Sequence, residues 1–252
     1  MRIAVFLDVD NTLTTDWIQK QYAIALKCED KYKTLEENFQ RKAIDSKTFG
    51  KEIIALFASK GFTETEANSH FQDIHLRPGT DKLLRLANVD KYLVSSGPSY
   101  YVDALAERYN IPPDNRCWSI YEFSRQTGLI ESCLAVDDQD KADFVRERIA
   151  KKKYSIVIGM GDSPEFDGPF LAHCTIRLMT VETGKYVYIP SFTSVVQLIA
   201  RLSEIAETGV FDPGGGTILQ MAKSITVNNW VWIITAFTAV FGMGMAVGHL
   251  VK

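Results

Sequence analysis

Ile3-Ala4-Val5-Phe6-Leu7-Asp8-Val9-Asp10-Asn11-Thr12 is the stretch that decides how this chain is read. Residues Arg2–Leu7 form a short apolar run rich in Ile, Val and Phe, as expected of a strand covered on both faces. Two carboxylates follow at once, two residues apart. If the strand continues, Asp8 and Asp10 project to the same face. An unpaired carboxylate is expensive to take out of water, so acids at the end of a buried strand call for a cation. Sites on open α/β sheets also gather at the C-terminal ends of strands.

Working outward, similar apolar runs recur at Lys91–Ser95, Tyr154–Gly159 and Cys174–Leu178. Helical patterns lie among and after them. Val102, Leu105, Ala106 and Tyr109 follow the i, i+3, i+4, i+7 spacing, as do Val195, Leu198, Ile199 and Leu202. Ala142, Val145 and Ile149 share one helix face. Strands alternating with helices predict an α/β fold with a Rossmann-like parallel sheet and right-handed crossovers. Between the first strand and Lys91 no strand-like run occurs. Phe49, Ile53, Ile54 and Phe57 recur at helical spacing, Thr63 and Glu66 form a capping box, and Arg77-Pro78-Gly79 is a stop and turn. Residues 15–76 therefore read as a helical insert over the first strand's C-terminal end. The sheet domain takes 1–14 and 77–208.

The second acidic group follows the run Tyr154–Ile158. Gly159-Met160-Gly161-Asp162 ends it, and Asp167 comes five residues after Asp162. Carboxylates converging from two strands make an oxygen-rich site of the kind magnesium prefers. Ser95-Ser96-Gly97, after Tyr92-Leu93-Val94, offers hydroxyls and backbone N–H groups to a phosphate. Lys141 stands at a helix start, where a cation opposes the helix dipole and makes sense if an anion lies nearby.

These four elements, in this order, resemble the haloacid dehalogenase superfamily of phosphatases from Ile3 to about Leu178. The pattern DxDxT matches Asp8, Asp10 and Thr12. The strand-end Ser matches Ser95, the Lys matches Lys141, and GDxxxxD matches Gly161, Asp162 and Asp167. The segments Val94–Gly97 and Tyr109–Ile111, the Arg77-Pro78-Gly79 turn and the Thr127-Gly128 step are similar to the phosphoserine phosphatases. The resemblance implies a Mg²⁺-dependent phosphomonoester hydrolase with a helical cap at 15–76. Asp8 would be the nucleophile and Asp10 the acid and base. Asp8, Asp10 (through its backbone carbonyl), Asp162 and Asp167 would surround the metal. Thr12, Ser95, Ser96 and Lys141 would serve the phosphate. One departure stands out. Phosphoserine phosphatases grip the amino acid with a cap acid and a cap arginine. Here the acid position falls near Asp16 and Trp17, and the arginine position on Leu56, an apolar residue that does not hold a carboxylate.

The rest of the chain narrows the alternatives. Its 252 residues carry 28 basic and 31 acidic side chains, a net charge of -3, which argues against nucleic acid as partner. The four cysteines form no CxxC pair, against a zinc or redox site. The N-terminal run is too short for a signal peptide, and neither end carries a lipidation signal. Asp212-Pro213-Gly214-Gly215-Gly216 is a break within a linker over 209–229. The segment Trp230–Val251 is apolar except for Thr235, Thr238 and His249, and as a helix would be roughly 33 Å long, enough for a bilayer core. It reads as a single-pass transmembrane anchor with the catalytic domain in the cytoplasm. The Gly244/Gly248 spacing would let two such helices pack, as in a homodimer. The expected substrate is a small phosphorylated metabolite or a lipid-linked phosphate. The competing readings are a membrane-anchored phosphotransferase, a phosphonate- or halide-cleaving relative (the latter opposed by Asp10), and an inactive binding or regulatory protein on the same fold.

Overall fold

In a computed structural model, which describes residues 1–69 and 75–208, the expected first strand is β1 (Ile3–Leu7), buried at every position. Four helices follow: α1 (Ile18–Ala25), α2 (Glu29–Gln40), α3 (Ser46–Ala58) and α4 (Glu64–Ser69). Then come α5 (Thr80–Leu84), β2 (Val89–Pro98), α6 (Ser99–Arg108), β3 (Arg116–Phe123), β4 (Ile130–Leu134) and α7 (Asp138–Lys152). The remainder is β5 (Ile156–Gly161), α8 (Gly168–Leu171), β6 (Ile176–Met179), β7 (Val187–Tyr188) and α9 (Phe192–Thr208). The linker 209–229 and the expected transmembrane helix 230–251 lie outside the described residues. Among the described residues no helix is long and apolar enough to cross a membrane.

The strands form one sheet in the order β4-β3-β2-β1-β5-β6-β7. β1 sits at its centre, parallel to β2 on one side and β5 on the other. Its alternate side chains enter two cores. Ile3, Val5 and Leu7 face the layer that holds α6 and α9, while Ala4 and Phe6 face the layer of α7. Phe6 stacks on Tyr92 with centroids 4.4 Å apart. Burial on both faces is why β1 reads as an unbroken apolar run. Each of the four runs seen in the sequence overlaps a strand, with ends that differ by no more than three residues.

The all-parallel expectation is corrected at one edge: β3 and β4 form an antiparallel hairpin. Neither strand shows a continuous apolar run, because one face of the hairpin is turned to solvent. Ile120 and Leu134 pair across it and are both exposed, while Tyr121 and Ile130 face inward. Gly128 supplies the left-handed turn at φ 71. The two-residue β7 was too short to be seen.

The helices begin where their caps place them. Thr63 and Glu66 exchange hydrogen bonds at the start of α4, and Asp137 and Asp140 form a capping box at the start of α7. The Arg77-Pro78-Gly79 return passes beside the β1 loop, where Arg77 Nε donates to the Asn11 carbonyl at 3.0 Å. Gly79 is at φ 88, and a Cβ there would lie 2.5 Å from the Thr193 backbone nitrogen, so this turn admits only glycine without a shift of α9.

Candidate active site

After β1 the chain reverses within a few residues. Asn11 adopts the left-handed conformation, and the N–H groups of Thr12, Leu13 and Thr14 all donate to the Val9 carbonyl. This knot fixes Asp8 and Asp10 at the sheet's C-terminal edge. Asp8 continues the ladder, its N–H donating to the Met160 carbonyl at 2.9 Å, which places it beside the end of β5 and its acidic loop.

Lys141 ties the two acidic segments together. Its ammonium, on the first turn of α7, donates to Asp8 Oδ1 at 2.8 Å and to Asp167 Oδ1 at 2.9 Å. All three side chains are buried. Asp167 Oδ2 accepts from the backbone N–H groups of Asp162 and Ser163, each at 3.0 Å. Both Asp167 oxygens are thus engaged in holding Lys141 and the loop. A Cβ on Gly161 would fall 2.4 Å from Asp167 Oδ2, so the glycine of that motif lets Asp167 close against the strand.

Asp10 points elsewhere. Its Oδ1 accepts from the Ile18 N–H at 3.1 Å, and its Oδ2 faces the Ser95 hydroxyl at 3.5 Å. Ser95 in turn accepts from the Gly97 N–H at 2.8 Å. Ser96 lines the same cavity, and its carbonyl is held by Ser119, whose hydroxyl also accepts from the Val136 N–H on the approach to α7.

Carboxylate oxygens of Asp8, Asp162 and Asp167 lie within 4.8 Å of one another. An all-oxygen set with excess negative charge suits a hard divalent cation such as Mg²⁺. The Asp10 carboxylate is not part of this cluster; its side chain is committed to Ser95 and the start of α1. The excess charge and the burial raise the proton affinity of these carboxyls. Burial, then the neighbouring Asp167 charge, raises the Asp8 carboxyl to about 7 against the pull of Lys141. Burial followed by Asp167 and Asp8 holds Asp162 well above the ordinary carboxylate range. Asp10 rises to about 6, chiefly through burial, opposed by the Ile18 N–H, Lys141 and Ser95. For Lys141, burial disfavours the ammonium, but Asp167 and Asp8 outweigh it and the proton is held more tightly than usual.

Carboxyls whose folded values are raised bind protons more tightly when folded. They stabilise fully below about pH 4, and this stability is lost as pH rises through 6 to 7. In EDTA the Tm should fall over that window, and Mg²⁺ should raise Tm more at pH 7.5 than at pH 5. A metal-free Tm that climbs toward neutrality, with no larger Mg²⁺ gain there, would contradict the charge excess.

The cavity above these groups has a volume of about 360 Å³. Of the residues expected at the site, Asp8, Asp10, Ser95, Ser96, Lys141, Asp162 and Asp167 line it. Thr12 does not: it is fully buried, and its hydroxyl has no hydrogen-bond partner among the described residues. Leu56 is also buried away from the cavity. The register of α3 instead presents Ser46, Phe49 and Gly50 to it. Asp16 is absent from the lining as well, its carboxylate held by the Trp17 N–H, Gln21 and Lys20, whereas Trp17 does line the cavity.

Sequence reasoning missed the aromatic wall. Trp17, Phe39, Phe49, Tyr121 and Phe166 line the cavity, and Phe39 is sandwiched between Phe49 and Phe166 with both centroid separations at 4.6 Å. Phe49 reads in the sequence as an ordinary core position. Phe166 carried a usable signal, since it stands inside the acidic motif next to Asp167. Gly97 contributes by having no side chain. A Cβ there would lie 2.4 Å from Asp10 Oδ2 and 2.9 Å from Ser95 Oγ. Gly97→Ala should therefore displace the Asp10 carboxylate and, if the cavity hydrolyses phosphate esters, lower that turnover by about 100-fold while the far-UV circular dichroism stays native. Wild-type turnover in that variant would show that Asp10 does not need this position.

The sequence matches no protein-family model and no curated protein. Its structure is similar to several solved ones. A HAD family hydrolase from Salmonella enterica serovar Typhi superposes with a TM-score of 0.63 at 18% identity, over 71% of this chain and 63% of that one. This chain thus spans a little under two thirds of that protein's length. A substrate-bound phosphoserine phosphatase gives 0.67 at 11% identity, over 78% and 97% of the two chains. A phosphoserine phosphatase described as a phospho-aspartyl intermediate analogue gives 0.61 at 12%, over 71% and 85%. At these identities the likeness speaks for the architecture, and the chain has the fold shared by the HAD-type hydrolases and phosphoserine phosphatases.

Proposed function

We propose that this chain is a Mg²⁺-dependent phosphomonoester hydrolase that works through an aspartyl phosphate on Asp8. The observation that carries the reading is the Lys141 ammonium tied between Asp8 and Asp167 beside Asp162, with Asp10 held separately across the same cavity. The similar structure described as a phospho-aspartyl intermediate analogue supports it.

In this reading an Asp8 carboxylate oxygen attacks phosphorus. The bond to the leaving oxygen breaks, and Asp10 donates the proton that oxygen needs. Water then attacks the acyl phosphate while Asp10 takes back a proton, releasing inorganic phosphate and restoring Asp8. A carboxyl raised to about 6 has both forms accessible near neutrality, as a group that gives and regains a proton requires. Lys141 restrains Asp8 and offsets charge between it and the phosphoryl group. Ser95 and Ser96, which line the cavity, would bind phosphoryl oxygens. Mg²⁺ held by Asp8 and Asp162 would neutralise charge on the phosphoryl oxygens and favour in-line attack. Asp167, with both oxygens engaged, would serve by holding Lys141 and the loop. Helices α1–α4 and their connections supply Trp17, Gln19, Phe39, Gln40, Ser46 and Phe49 to the cavity, so this insert would act as the cap that shields the site and reads the leaving group.

The test is phosphate release by the full chain, kept in mild detergent, from a panel of phosphate esters with Mg²⁺ and with EDTA. Release that needs the metal is expected. No release from any ester under either condition would leave a phosphate-binding protein on a hydrolase fold.

A further inference from the structure

The geometry points to a phosphate ester with an uncharged aromatic leaving group as the substrate class, an inference that rests on the hydrolase reading above. Among the described residues Lys141 is the sole cation in the lining, and its ammonium is already held by Asp8 and Asp167 at 2.8 and 2.9 Å. Against it stand five carboxylates: Asp8, Asp10, Asp162, Glu165 and Asp167. A leaving group that brings its own carboxylate, as serine does, meets repulsion and no further cation in the described lining, Lys42 lying over the Phe166 ring at 5.7 Å but outside that lining, and an unpaired charge pays heavily for leaving water. The insert does not repair this. Leu56 is buried away from the cavity, and Asp16, a candidate for the amino group, is engaged by Trp17, Lys20 and Gln21 outside it.

What the cavity provides is aromatic. Phe49 and Phe166 cover both faces of Phe39, so Phe39 presents its edge. Ring edges are the electropositive part of an aromatic side chain and favour the face of another ring. Trp17 and Tyr121 add further aromatic surface, with the Tyr121 hydroxyl engaged by Gln19 Nε2 at 3.2 Å. Stacked in this way, Phe39 offers a quaternary ammonium no open ring face. The phosphoryl end and the aromatic end share one cavity of about 360 Å³, within the range of small-molecule sites.

The experiment compares kcat/KM for phenyl phosphate, benzyl phosphate, O-phosphoserine and phosphocholine with the full chain and Mg²⁺. Phenyl phosphate should lead, and benzyl phosphate, whose alkoxide is as poor a leaving group as that of serine, should also exceed phosphoserine and phosphocholine by at least about tenfold, the selectivity that burying an apolar group supplies. Trp17→Ala should shrink that ratio. Ser46→Arg, which puts a cation on the half-buried cavity-facing start of α3, should raise phosphoserine turnover relative to phenyl phosphate. Phosphoserine or phosphocholine turned over as well as benzyl phosphate would overturn the inference while leaving the hydrolase reading intact. If no ester is hydrolysed, that reading fails, and calorimetric binding to Asp8→Asn decides the inference separately. Phenylphosphonate bound more tightly than the phosphonate analogue of phosphoserine upholds it, and equal or weaker binding overturns it.

Discussion

Asp8→Asn should abolish phosphate-ester turnover, a loss on the order of 10⁴-fold or more, while the protein stays folded. Asparagine has nearly the shape of aspartate, so its side-chain oxygen can still accept from Lys141 and the Asp8 N–H to Met160 ladder bond is untouched. It lacks the anionic oxygen that must form the acyl phosphate. The change has a second signature. Asp8 is one of three carboxylates gathered within 4.8 Å, and its own value is raised partly by Asp167. Neutralising it relieves that repulsion, so the metal-free Tm should hold or rise, and the Tm gain from Mg²⁺ should shrink. Stopped and continuous phosphate assays read the first effect, and thermal unfolding with EDTA or Mg²⁺ reads the second. Turnover within tenfold of wild type would remove Asp8 from the nucleophile's role.

Lys141→Met should be the costliest substitution for stability. Methionine fills much of the same volume but leaves buried Asp8 and Asp167 facing one another without their cation. Breaking a buried ion pair from one side costs about 3–5 kcal/mol, a large share of the roughly 5–15 kcal/mol that holds a domain together. Urea unfolding at pH 7.5 in EDTA should show the lost midpoint. Two conditions should recover part of it. Mg²⁺ supplies replacement charge, and lowering the pH toward 5 protonates the raised carboxyls. Activity should fall as well, since Lys141 orients Asp8, by about 100-fold or more. An unchanged urea midpoint without metal would mean that the three-residue cluster is not the electrostatic keystone its geometry indicates.

Several features were legible before any coordinates because they are local. An acid pair after a buried strand, a glycine-acid step after another, a Ser-Ser-Gly strand end and a lysine at a capped helix start each occupy a few adjacent residues. Fold topology then gathers strand ends at one edge of the sheet, so Asp8, Asp10, Ser95, Lys141, Asp162 and Asp167 were expected to converge, and the structure brings them to one cavity. The hairpin β3–β4 was not legible, because a strand with one wet face loses the continuous apolar run that marks a central strand.

What the sequence by itself determined is therefore the α/β core and the identity of the polar groups at its edge, since strand burial and charge cost are written in nearest-neighbour patterns. Only the tertiary structure decided how those groups are used and what stands above them. Lys141 is 133 residues from Asp8 and 26 from Asp167, and no local pattern states that one ammonium serves both. The two oxygens of Asp167 are spoken for by contacts that exist only after the loop folds back. On α3, Phe49 faces the cavity and Leu56 the core, yet both fit the same helical periodicity. An apolar side chain that lines a cavity and one that fills a core are written alike. Their height along the helix separates them, since residues seven apart share one face but stand about 10 Å apart on the axis, and packing across the whole domain decides which end of α3 meets the cavity.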